Sequence, residues 1–212
     1  MRPPRRILDV TRPLFAGIPV WPGDAPCRVG WSLRLDEDGP VNTAHLSLSA
    51  HTGTHADGPY HVLEDGARIG AAPLEAYLGP ARVVDARGRD EIGADWLAER
   101  LANGAERVLL RTGCWTDPAV FPTRFPAPTP EAAALLVSRG VRLVGTDAPS
   151  VDPFDSDDLP AHRALLGGGV AILENLLLDD VSPGEYELIA LPLRLAEADS
   201  SPVRAILLEP AR

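Results

Sequence analysis

Four of the five histidines fall between positions 45 and 61, and the segment His51-Thr-Gly-Thr-His55-Ala-Asp57-Gly-Pro59-Tyr-His61 carries three of them beside a carboxylate. That spacing restricts the backbone. Fully extended, His51 and His55 would stand about 13 Å apart at ~3.3 Å per residue, too far to share one ion held at about 2.0–2.1 Å by imidazole nitrogen. If both serve one ion the chain must turn between them, and Gly53 permits the turn. Asp57 and Pro59 argue against a longer helix, so the segment is expected at a strand-to-loop transition. Upstream, residues 43–50 alternate, with His45, Ser47 and Ser49 on one face and Leu46, Leu48 and Ala50 on the other, as in a half-buried strand. Two imidazoles and a carboxylate suit zinc, with manganese or iron as other candidates. His45, the histidine least tied to the loop, reads as an ordinary hydrogen-bonded side chain.

Short apolar or β-branched runs bounded by Gly, Pro or Asp predict strands over 7–11, 28–35, 43–50, 82–86, 107–112, 141–146, 186–195 and 203–208. Helices are expected over 94–102 and 131–139; Thr129 is placed to cap the second, with Pro130 at its first position and Gly140 just past its end. Residues 159–166 read as a shorter helical stretch containing His162, and 170–173 as a strand with Glu174 exposed as a cap after it. Adjacent strand pairs mixed with helical crossovers favour an α/β fold with a mixed sheet. No internal repeat or hydrophilic linker divides the 212 residues, so one domain over 1–212 is expected. The proline-rich stretch 116–130 reads as a long ordered connection, either a lid or a dimer contact.

Composition removes several function classes. Hydrophobic residues make up 45% and charged residues 24%, an ordinary globular balance. The formal charge of -10 speaks against nucleic-acid or anionic-membrane partners and leaves small molecules or proteins. All 20 basic residues are Arg, so Schiff-base lysine and P-loop chemistry are excluded. Apolar runs such as 132–137 and 188–193 fall short of the roughly 18 residues of a membrane helix. Cys27 and Cys114 are isolated, with no Cys-x-x-Cys, which suits a reducing cytoplasm. Arg2, Arg5 and Arg6 are not followed by the apolar run of a signal peptide, so no export is expected. No Gly-x-Ser-x-Gly occurs, and the serine-hydrolase route is unsupported.

The pattern His51-x-Gly53-Thr54-His55-x-Asp57-x-Pro59-x-His61 resembles the signature of the cyclase-like metal-dependent hydrolases, and within them the bacterial kynurenine formamidases (arylformamidases). Collinear blocks extend the likeness over nearly the whole chain: Asp9-Val-Thr-Arg-Pro13, Pro19-Val-Trp-Pro-Gly-Asp24, Val144-Gly-Thr-Asp-Ala-Pro-Ser150, Ala171-Ile-Leu-Glu174, Leu178-Asp-Asp-Val181, Glu187-Leu-Ile-Ala-Leu-Pro192 and Ser201-Pro-Val-Arg-Ala205. The triple glycine 167–169 is a minor departure. The resemblance implies a single-domain swivelling β/β/α fold and a homodimer. It also implies two divalent ions, zinc before manganese, one held by His51, His55 and Asp57 and the other by Asp57, His162 and Glu174. Read alone, His162 and Glu174 would pass for structural residues.

The activity implied is hydrolysis of N-formyl-L-kynurenine to L-kynurenine and formate in tryptophan breakdown. Two ions can activate water and stabilise an oxyanion, leaving His61, outside the implied ligand set, to pass a proton to the departing nitrogen. His61 as a further ligand or a packing residue is the other reading. Trp21 resembles the family's substrate-side aromatic, with a core position as its alternative. Asp147 reads as a brace. Alternatives for the whole chain are a sister hydrolase opening a cyclic amide such as isatin, and a non-catalytic metal-dependent binding protein.

Overall fold

The computed structural model describes residues 5–35, 39–101 and 104–210. In chain order its strands are β1 (Ile7–Asp9), β2 (Arg28–Leu33), β3 (Thr43–Ser47), β4 (His55–Asp57), β5 (Leu78–Asp85), β6 (Arg107–Arg111), β7 (Leu143–Thr146), β8 (Ala171–Glu174), β9 (Gly184–Ile189), β10 (Ser200–Pro202) and β11 (Ile206–Leu208). Three α-helices, α1 (Ala94–Ala98), α2 (Pro130–Ser138) and α3 (Pro160–Gly167), lie between them. Among the described residues no helix is long and apolar enough to cross a membrane.

Nine strands form one mixed sheet in the order β1-β11-β9-β5-β6-β7-β8-β4-β10. The centre, β5 to β8, is parallel, while β9, β11 and β1 on one side and β4 and β10 on the other run antiparallel to their neighbours. The sheet curls until its two flanks meet. The stretch from β10 to β11 passes from one edge of the sheet to the other. Val203 N–H donates to Thr54 O at 3.0 Å, and Ala205 N–H donates to the Thr11 hydroxyl at 2.9 Å. Those outward bonds shorten the strand expected over 203–208 to β11, and the residues before the expected start form β10 instead.

Alternation along the parallel strands sorts their side chains into two cores. Val83, Leu109, Leu143 and Leu173 point into the curl with Leu188 and Leu207. Val84, Val108, Leu110, Val144 and Ile172 meet Ala132, Leu136, Ala161 and Leu165 of the helices on the other face. Helix α2 begins as the sequence suggests: Thr129 Oγ1 accepts from Ala132 N–H at 3.2 Å, and Pro130 occupies the first turn. Helix α1 is shorter than expected, because Arg100 N–H closes on Leu97 O at 2.9 Å and tightens the last turn; the expected end at Ala102 lies outside the described residues.

Two expectations fail here. The strand expected over 43–50 ends at Ser47 and is not half-buried, since β2 and β3 pair only with each other and β3 is exposed along its whole length, Leu46 at 62%. After the expected turn at Gly53 the segment does not continue as loop, because residues 55–57 enter the main sheet between β8 and β10.

Candidate metal centre

Strand β4 puts His55 and Asp57 on one face with Ala56 between them on the other. Its register opposes His55 to Glu174 and Asp57 to Ile172 of β8, so the three polar side chains face the helical layer. Glu174 is therefore a buried strand end rather than the exposed cap expected from sequence. Helix α3 supplies His162 from above. Before β4 the chain turns at Gly53, whose φ of +66° is a left-handed value that glycine adopts without strain, and this turn returns His51 to the same place.

The five side chains converge as two overlapping sets, His51/His55/Asp57 and Asp57/His162/Glu174, each with ligand atoms within 4.8 Å of one another. Asp57 Oδ1 lies 3.1 Å from His51 Nδ1 and 3.4 Å from His55 Nε2, while Oδ2 faces His162 Nε2 at 3.7 Å. Glu174 lies 3.2 Å from His162 Nε2 through Oε1 and 3.4 Å from His55 Nε2 through Oε2. The Val151 N–H also donates to Glu174 Oε1 at 2.8 Å.

The outward nitrogens are fixed by acceptors. His55 Nδ1 bonds Gly53 O at 2.9 Å, which leaves Nε2 for the centre. Asp152 makes three bonds to the start of α3: its Oδ2 meets His162 Nδ1 at 2.7 Å and accepts the His162 N–H at 2.9 Å, and its Oδ1 accepts the Ala161 N–H at 2.9 Å. One carboxylate thus caps α3 and orients its imidazole. His51 is reversed, presenting Nδ1 to Asp57 while Nε2 meets Asp199 Oδ2 at 2.9 Å; the same oxygen meets His61 Nδ1 at 3.1 Å.

The donors suit divalent cations. His55 Nε2 and both Asp57 oxygens are buried and make no hydrogen bond, an arrangement that is costly unless something occupies the space between them. With neutral imidazoles, Asp57 and Glu174 would leave uncompensated negative charge in the interior. Burial alone lowers the pKa of His51 and His55, yet Asp199 and Asp57 raise the first to about 9, and Asp57 and Glu174 raise the second to about 10. Burial opposes ionisation of Asp57, but the charge of His55 and the approach of His162 and His51 hold it well below the usual carboxylate range. Three imidazole nitrogens and two carboxylates are borderline ligands of the kind zinc and manganese accept.

Trp21 is half-buried in an aromatic cluster, its ring tilted against Phe154 at 4.9 Å and edge-on to Phe121 at 5.6 Å. Phe154 follows Asp152 by two residues, linking this cluster to His162. Phe121 belongs to the 116–130 connection and also contacts Trp115 at 5.5 Å. His45 is exposed on the β2–β3 hairpin, 3.3 Å from Ser32 Oγ. Asp147 is a brace: its carboxylate accepts from Thr112 N–H and Gly113 N–H at 2.8 and 2.9 Å. Sequence reasoning missed Asp152 and Asp199, although the first lies two residues beyond the Val144 to Ser150 block and the second two residues before the Ser201 to Ala205 block.

A curled mixed sheet that gathers buried histidines and carboxylates at one point defines a class of metal-dependent hydrolase-like proteins, and comparison with known proteins narrows that class. The model of the family described as putative cyclase matches residues 8–153. The chain belongs to this cyclase family. It is 45% identical over 200 residues to kynurenine formamidase of Bacillus cytotoxicus, covering 94% of this chain and 96% of that one. Among solved structures it resembles a predicted metal-dependent hydrolase from Bacillus stearothermophilus, with TM-score 0.83, 30% identity and coverage of 97% and 98%. It also resembles isatin hydrolase A from Labrenzia aggregata bound to benzyl benzoate, with TM-score 0.84, 30% identity and coverage of 96% and 93%.

Proposed function

We propose that this protein is a kynurenine formamidase, hydrolysing N-formyl-L-kynurenine to L-kynurenine and formate. The near-full-length kinship to the Bacillus cytotoxicus formamidase carries this reading, and the site contains the groups the chemistry requires. His51, His55 and Asp57 would hold one divalent ion and Asp57, His162 and Glu174 a second, zinc being the assignment that suits the donors. When bound, such ions make water nucleophilic near neutral pH and offset negative charge on the carbonyl oxygen.

The chain's own residues do the rest. Asp57 offers one oxygen to each ligand set. Asp152 and Gly53 O hold the rings of His162 and His55 in place. His61 bonds Asp199 through Nδ1, and its Nε2 has no hydrogen-bond partner among the described residues, so that nitrogen is available to carry a proton. As water adds to the formyl carbon, His61 Nε2 takes up the proton the water loses and, as the carbon–nitrogen bond breaks, delivers it to the departing aryl amine nitrogen. Trp21, with Phe154 and Phe121, offers the aromatic surface for the kynurenine ring.

The 212 residues work as one domain, a reading supported by the pairing of β1 with β11. A homodimer is supported by the β2–β3 hairpin, which displays Trp31, Leu33 and Leu46 to solvent. The unpaired Cys27 and Cys114 suit the cytoplasm.

The likeness to isatin hydrolase favours one second reading, the opening of a cyclic amide. The deciding experiment is a formate-release assay on N-formyl-L-kynurenine beside an isatin ring-opening assay on the metal-loaded protein. The formylkynurenine rate is expected to exceed the other by orders of magnitude. Faster isatin opening would replace this reading, and ligand binding without turnover on either would make the protein a metal-dependent binding protein.

A further inference from the structure

One carboxylate oxygen serves two imidazoles at the edge of the centre. Asp199 Oδ2 lies 2.9 Å from His51 Nε2 and 3.1 Å from His61 Nδ1, and the two rings stand 4.4 Å apart. The backbone that carries this carboxylate is anchored at both sides. Asp199 directly precedes β10, whose Ser200 pairs with Asp57 of β4. Its carbonyl accepts the Gly58 N–H at 2.7 Å, and a Cβ on Gly58 would meet that same oxygen at 2.9 Å. The residue after Asp57 is thus kept small where the Asp199 backbone comes close.

A carboxylate can only accept from a neutral imidazole, so each contacting nitrogen must carry the hydrogen. For His51 this makes Nε2 the N–H and leaves the Nδ1 lone pair facing Asp57. For His61 it makes Nδ1 the N–H and leaves the Nε2 lone pair available. We propose that Asp199 is a positioning residue for the reaction, selecting the tautomer of both His51 and His61 through one oxygen and thereby tying the ring of a metal ligand to the ring that moves the proton. The inference rests on the roles given above to His51 and His61. It adds that the two rings are set together, so that the proton carrier keeps a fixed place relative to the ligand beside it.

The first test reads the rings directly. Nitrogen NMR of ring-labelled protein should place His61 in the Nδ1–H tautomer, and Asp199→Ala should move it toward the Nε2–H form that a free histidine side chain prefers. The second reads metal binding: Asp199→Ala should weaken zinc affinity by about 10–100-fold through loss of the His51 partner. The third compares rates at saturating zinc with full occupancy verified. There Asp199→Ala should lower kcat about 10–100-fold with KM within about twofold, and Asp199→Asn, which keeps one acceptor oxygen, should fall between it and the unmodified protein.

The double variant with His61→Ala decides whether Asp199 acts through His61. At full zinc occupancy, where metal binding itself holds His51, it should be no slower than His61→Ala alone, because the ring through which Asp199 acts on the rate is then absent. Multiplying losses, an unchanged His61 tautomer in both Asp199 variants, or an undiminished kcat would each overturn the proposal. Should Asp199→Ala not fold, the tautomer and rate of Asp199→Asn decide. The tautomer and zinc measurements need no substrate, so they stand apart from the formamidase reading, which fails only if the unmodified protein does not turn over formylkynurenine.

Discussion

Asp57 is the residue on which both ligand sets depend, and its removal should differ in kind from removal of the proton carrier. Asp57→Asn is expected to lose both ions and with them essentially all turnover, whereas His61→Ala should keep full metal content and lose about 10²–10⁴ in kcat. Metal analysis beside the formate assay checks both, and one ion per subunit in His61→Ala would make His61 a ligand. The histidines also give the metal-free protein a defined pH response. Folded His51 and His55 bind protons near 9 and 10, above the ordinary 6.5, so the stability they add is complete below pH 6.5 and is lost as pH rises through those values. In the loaded protein protons compete with metal, so acid removes stability instead. Thermal melts with and without chelator should therefore show opposite pH trends. At this scale the sequence was informative where ligands share one segment, as His51, His55 and Asp57 do. It was silent on Asp199, whose partners lie 148 and 138 positions away.

Helix α3 and helix α2 offer a contrast between a cap that supports only a helix and one that also supports a site. Thr129→Ala should cost about 1 kcal/mol of stability and leave zinc affinity unchanged, since the hydroxyl serves only the first turn of α2, at the Ala132 N–H and Glu131. Asp152→Ala removes the acceptor of two N-terminal amides together with the partner of His162 Nδ1. It should cost a similar amount in thermal stability and in addition weaken zinc binding about 10–100-fold. Titration of each variant with zinc beside its melting curve checks the contrast. The first cap was legible because Thr-Pro-Glu at the head of an apolar periodic run is a local signal. The second was not, because Leu159 enters α3 at φ 46° and the capping carboxylate comes from outside the helix segment. The strand β4 escaped notice for a related reason: a stretch reading His-Ala-Asp has no strand preference of its own and becomes a strand because β8 and β10 pair with it.

Seen whole, the molecule divides into a sheet packed on both faces and a hairpin packed on neither. A two-stranded ribbon is marginal in water on its own, and β2–β3 exposes Val29, Trp31, Leu33 and Leu46. The alternation read from 43–50 is real, but the surface that its apolar face meets is not supplied by the same chain's main sheet. If a second copy supplies it, Leu46→Asp should leave the monomer's fold intact while shifting the sedimentation profile toward the monomer. The closed curl has a different consequence, one for biosynthesis. Part of the seam between the two flanks of the sheet comes from Val203 and Ala205, and Asp199 lies just before them in the chain. A chain still being translated lacks that part of the seam and the partner of two of its histidines until residues 199–205 have been made. The edge of the metal centre is therefore completed later than its five ligand residues, all of which precede Asp199 in the chain.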